Sequence, residues 1–132
     1  MSWLRMGLLA LLIEALAVLT LVLVVAFVGP SDPAEAQAYA EEVGTWLGPV
    51  AGFVLCLGGG WLVARRRSTG HVARGALLGS MVAAIDVAIL AAGGAGFQLL
   101  FLVSNAGRIV AGSLGGLLAG LRKGDVDADV RA

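Results

Sequence analysis

The chain has 132 residues, 59% hydrophobic and 14% charged, with nine basic and nine acidic side chains and no formal net charge. Soluble domains carry roughly 25% charged residues, and a fold this small cannot hide so much apolar surface, so the composition excludes an ordinary soluble domain. One cysteine, Cys56, and one histidine, His71, exclude an intramolecular disulfide and leave too few ligands for a Cys- or His-clustered metal or haem site.

The first apolar run covers residues 6–28 and follows Arg5. It exceeds the roughly 20 residues that cross a bilayer as a helix. A signal peptide would also place a basic residue first, and Ala34-Glu35-Ala36 resembles a cleavage site. The run is longer than the roughly 7–15 apolar residues of a signal peptide and contains Glu14, so it reads as a span. An acidic stretch follows, with Asp32, Glu35, Glu41 and Glu42 and no Lys or Arg. Asp32 suits a helix N-cap, Pro33 its first turn and Glu35 the capping-box spacing. These residues predict a short outer helix over 33–43, with Gly44 and Pro49 bending its join to the next span.

The second span covers residues 45–64. Gly44, Gly48, Gly52, Cys56, Gly60 and Ala64 recur at every fourth position. In lipid, helices associate through close approach of small residues, so this glycine-zipper pattern predicts a packing groove. Arg65-Arg66-Arg67 and Arg74 flank a short loop that contains His71. The third span, residues 72–92, opens with Gly75, Gly79 and Ala83 and then carries Asp86. An uncharged loop, Gly93-Gly94-Ala95-Gly96, leads to a fourth span over residues 97–121. That span holds Gln98, Ser104, Asn105 and Arg108, then Gly112, Gly116 and Gly120, and Arg122-Lys123 follow it. After Gly124, residues 125–132 alternate charged and small side chains and predict a disordered acidic tail. The fold expected is an all-α integral membrane protein, a four-transmembrane-helix bundle forming a single domain over residues 1–124.

Basic residues cluster before span one, between spans two and three, and after span four. The positive-inside rule therefore puts both termini in the cytoplasm and predicts a multi-pass protein of the inner (cytoplasmic) cell membrane. Trp3 and Trp61 fall at inner ends and Trp46 at an outer end, as an aromatic belt requires.

Glu14, Asp86 and Arg108 are ionisable groups inside apolar spans, where charge is costly and marks a functional candidate. Each shares a helix face with small residues: Arg108 lies four before Gly112, Glu14 between Ala10 and Ala17, and Asp86 three after Ala83. Measured from the outer ends, Asp86 is about 9 Å deep, Arg108 about 16 Å and Glu14 about 21 Å, at 1.5 Å per residue. The arginine thus lies between the carboxylates in depth and can bridge them. Asn105 and Gln98 can join by hydrogen bonding between helices. An arginine beside the carboxylates opposes a cationic substrate. The middle of span two offers glycine and small aliphatics instead of an aromatic-lined pocket.

Gly58-Gly59-Gly60, Arg65-Arg66-Arg67, Gly75 with Gly79, and Gly112, Gly115-Gly116 and Gly120 together cover residues 52–120. In this arrangement the chain resembles small four-span bacterial membrane proteins of the uncharacterised YrzE-like type. The resemblance implies the architecture and assigns no activity to any residue.

No nucleophile–base pair, phosphate loop or metal-ligand spacing occurs, so neither an enzyme nor a cofactor is expected. The first reading is a structural, accessory or partner-binding membrane protein with a buried Glu/Asp/Arg cluster. Its partners would be the lipid bilayer and a second copy or a larger membrane protein, with no nucleic acid. The alternative makes the same cluster the centre of a proton- or ion-coupled transporter or channel subunit.

Overall fold

The computed structural model describes residues 3–66, 68–94 and 98–129. They form four helices, α1 (Trp3–Val28), α2 (Pro33–Ala64), α3 (His71–Ala92) and α4 (Leu99–Asp129). Each contains a stretch long and apolar enough to cross a membrane.

The expected outer helix and second span are one continuous helix, α2. Its start is as the sequence suggests: Asp32 Oδ1 accepts from Ala34 N at 3.0 Å and Glu35 N at 3.1 Å, and Pro33 fills the first turn. Neither Gly44 nor Pro49 ends the helix. Strong helix formers fill 34–42, and a proline costs less where neighbouring helices hold the backbone in place. At the other end of the chain, α4 continues through residues 125–129, the first part of the expected tail. Residues 130–132 lie outside the described set, as do Arg67 and Ala95, Gly96 and Phe97.

Two turns need glycine. Gly70, before α3, has φ +70°, and Gly94, after α3, has φ +71°. Both lie in the left-handed region, which other L-residues adopt only with strain.

The helices run up and down. Gly44 meets Leu21 and Gly59 meets Ile13, which sets α2 antiparallel to α1. Gly75 meets Gly112 and Gly116, while Gly79 meets Arg108, which sets α3 antiparallel to α4. α2 and α3 each touch the other three helices, whereas the backbones of α1 and α4 stay apart among the described residues. Around the bundle the order is therefore α1, α2, α4, α3. One end carries Arg5, Arg65, Arg66, Arg74 and Arg122, and the other carries Asp32, Glu35, Glu41 and Glu42. We call these the basic and acidic ends.

The core lies in the basic half. Met6, Ala10, Ile13, Cys56, Val63, Leu78, Val82 and Ala111 form one buried cluster. α1 buries nothing beyond Ala17, and α3 nothing beyond Ala83. Here α4 lies directly on its neighbours. A Cβ at Gly60 or Gly75 would run into the carbonyl of Gly112, and one at Gly116 into that of His71. Gly115, outside the fourfold stripe, meets the Leu57 carbonyl in the same way. Such backbone contact adds many dispersion pairs, the main attraction between helices where lipid surrounds them. The outward faces stay apolar, with Leu8, Leu19, Phe27, Val54 and Leu102 among the exposed side chains. At the basic end the Arg65 guanidinium stacks over the Trp61 ring at 4.8 Å.

Candidate functional site

Glu14 comes from α1, Asp86 from α3, and Asn105 and Arg108 from α4. Arg108 is 3% exposed and Glu14 5%. Arg108 Nη1 lies 2.8 Å from Asp86 Oδ2 and 3.4 Å from Glu14 Oε2. Its Nη2 donates to Glu14 Oε1 at 3.5 Å. Asn105 completes the group, since its Nδ2 donates to Asp86 Oδ2 at 2.9 Å and to the Phe101 carbonyl at 2.9 Å. Its Oδ1 accepts from Arg108 Nη1 at 3.4 Å. One guanidinium thus bridges two carboxylates on two other helices. The backbones of α1 and α4 stay apart among the described residues, and this side chain reaches across from one to the other.

Gly52 makes the arrangement possible. A Cβ there would lie 2.7 Å from Arg108 Nε, so only glycine leaves the guanidinium its seat on α2. Burial is incompletely compensated: Glu14 Oε2 and Arg108 Nε make no hydrogen bond. Buried charges are costly unless both paired and hydrogen-bonded, and such orphans are normally explained by function or by an absent partner.

The cluster forms the floor of a cavity of about 500 Å³. All four helices line it. Ala17, Val18 and Leu21 come from α1, Gly44, Thr45, Gly48 and Pro49 from α2, Leu90 from α3, and Leu100, Phe101 and Ser104 from α4. Glu41 and Gln98 also line it, near the acidic end, so the cavity extends from that end down to the cluster. Toward the basic end the glycine contacts and the apolar core lie beneath it.

The packing glycines divide accordingly. Gly60, Gly75, Gly79, Gly112 and Gly116 press on neighbouring backbone, and Gly120 lies against the His71 ring. Gly44 makes only an ordinary contact with Leu21, at 3.6 Å, and Gly48 has nothing within 4 Å. Of the packing glycines expected from the sequence, these two make the loosest contacts. The helices spread apart above Gly52, and these two glycines line the space.

Two residues of the site were not singled out from the sequence. Glu41 looked like a loop-side acid, yet the continuity of α2 brings it to the cavity. Phe101 supplies an aromatic wall from α4 rather than from span two. The signal for Glu41 was its spacing of three, seven and eleven residues from Gly44, Gly48 and Gly52, which is one helix face. Chemically, the site can hold a positive charge against paired carboxylates in a confined, partly apolar space. Among the described residues no three His, Cys, Asp or Glu side chains are grouped to hold a metal ion. Comparisons with family models, curated proteins and solved structures find no match for this chain.

Proposed function

We propose that the chain is a multi-pass protein of the cytoplasmic cell membrane, with both termini inside, and that its buried cluster is the coupling centre of a small proton- or ion-coupled transporter or channel subunit. The observation that carries this reading is the position of Glu14, Asp86 and Arg108 at the floor of a cavity that reaches the acidic end. A cluster that only fixed helix register would not need such access. Two carboxylates face one guanidinium, so a further positive charge drawn from the acidic side makes the group neutral. The separation of basic and acidic ends supports the orientation. The bacterial setting rests on the resemblance to small four-span bacterial proteins.

The test is reconstitution in vesicles with a pH-sensitive dye inside. Wild type should move protons, and Glu14→Gln and Asp86→Asn should stop the movement while keeping the helical circular dichroism signal. Equal flux in folded variants ends the coupling reading.

A second reading, an accessory protein that binds a larger membrane partner, is favoured by one observation. Arg108 of α4 is ion-paired with Glu14 of α1 and Asp86 of α3, and such a bridge can serve register alone. This reading predicts copurification with the partner and vesicles that stay impermeable to protons.

A further inference from the structure

The cavity is far larger than a proton or a bare ion requires. At about 500 Å³ it falls within the roughly 300–1,000 Å³ of small-molecule sites. Glu14, Asp86 and Glu41 line the cavity with one guanidinium, leaving a formal charge of −2 on its lining. A proton on any of the three leaves the lining negative still. The sequence-level objection, that Arg108 repels a cation, therefore does not hold: Arg108 is bridged to two carboxylates at 2.8 and 3.4 Å. An anion would face the net negative charge, and a neutral molecule would leave it uncompensated.

The walls are mostly apolar. Leu21, Leu90, Leu100 and Pro49 offer no charge, and Phe101 adds an aromatic ring to the lining, a group that attracts cations. At the floor, Glu14 is 5% exposed, and its Oε2 lacks a hydrogen bond. That oxygen is ion-paired with Arg108 Nη1 at 3.4 Å, which keeps the carboxylate at the floor of the cavity. Metal ions suit the space less well, because Arg108 occupies the position between the carboxylates.

We infer that the cavity binds a small organic cation of single charge, an ammonium with an apolar body, which reaches it from the acidic end. The ammonium sits over Glu14 and Asp86, and the body lies against Leu90, Leu100 and Phe101. Glu41, at the mouth, favours cations over anions as they enter. Gln37 Nε2 donates to Glu41 Oε1 at 3.3 Å and holds that carboxylate in place. The inference rests on the coupling reading only for its transport meaning, because binding can be measured without flux.

The test is calorimetric titration of the full chain in dodecyl maltoside, an uncharged detergent, with benzyltrimethylammonium as probe. Benzenesulfonate serves as the anionic control. Saturable binding of the cation is expected, with none of the anion. Glu14→Gln and Asp86→Asn should weaken it about tenfold, the size of one lost close charge contact. Glu41→Gln should weaken it about threefold, because that charge is exposed and screened. Gly48→Leu should abolish it by filling the cavity, since a Cβ at Gly48 meets nothing within 4 Å. Glu41→Gln and Gly48→Leu alter an exposed and an open position, so they test the site even if the buried variants fail to fold. Absence of saturable cation binding, equal binding of benzenesulfonate, or undiminished binding in folded Gly48→Leu overturns the inference. Carboxylate-dependent proton flux without cation binding removes this inference and leaves the coupling reading standing. Cation binding without flux does the reverse.

Discussion

The two halves of the bundle are built from the same four helices and similar residues, yet they solve opposite problems. In the basic half, glycine lets α4 press its backbone onto α2 and α3, and Leu78, Val82 and Cys56 are fully buried between the helices. In the acidic half the helices spread, α1 and α3 bury nothing, and a cavity descends to the charges. The boundary runs through Arg108. Its carbonyl lies against Gly79 in the closed half, while its side chain lines the open one. The contrast teaches that a glycine stripe is not a contact by itself. What each glycine does depends on whether a neighbouring helix is close at that level.

Substitutions can break this contrast in graded steps. The largest effect should come from Gly112→Leu. Its Cβ would meet the Gly75 carbonyl, and backbone cannot move aside as a flexible side chain can. Loss of the folded bundle is expected, seen as aggregation on size-exclusion chromatography in detergent. Next comes Arg108→Leu, which leaves two carboxylates facing each other in a buried site. Removing one partner from a buried ionic group costs roughly 3–5 kcal/mol, readable as a lower midpoint in unfolding by sodium dodecyl sulfate. Stability equal to wild type would remove the cluster as a structural element.

Gly52→Ala is a sharper probe, because the added methyl would lie 2.7 Å from Arg108 Nε and touch little else. Overpacking of this kind costs about 1–3 kcal/mol. The loss should shrink in the Arg108→Leu background, since the two changes act on the same contact. Independent, additive losses would show that Gly52 does not seat the guanidinium. The smallest effect belongs to Gly48→Ala, one turn away. Its Cβ meets nothing, and alanine in place of glycine within a helix gains about 0.5–1 kcal/mol. A destabilised Gly48→Ala would mean that the acidic half closes, and the distinction between the halves would fail.

Much of this was legible in the chain. Four apolar runs of spanning length, separated by glycine-rich and charged connections, dictate four helices, because backbone in lipid must satisfy its own hydrogen bonds. Glu14, Asp86 and Arg108 stood out because charges inside apolar runs are costly. Their shared faces with small residues pointed them at neighbouring helices rather than at lipid. The join expected near Gly44 and Pro49, between an outer helix and the second span, shows where such reading stops. Local signals that set an outer helix apart from the span lost to one continuous helix with good helix formers at its start. Glu41 was misplaced for the same reason, since a residue judged part of a connection becomes part of a cavity once the helix is continuous.

The sequence alone determined the four apolar spans, the sorting of charge between the two ends, and the identity of the buried ionisable groups. All of these follow from residue type and spacing, which act over one or two helical turns. Tertiary structure decided which glycines touch, that Arg108 of α4 reaches Glu14 of α1, and that the space above the cluster stays open. Those facts depend on how far apart four helices lie at each level of the bundle. That separation is set by the summed packing of all of them, which no single stripe of residues encodes.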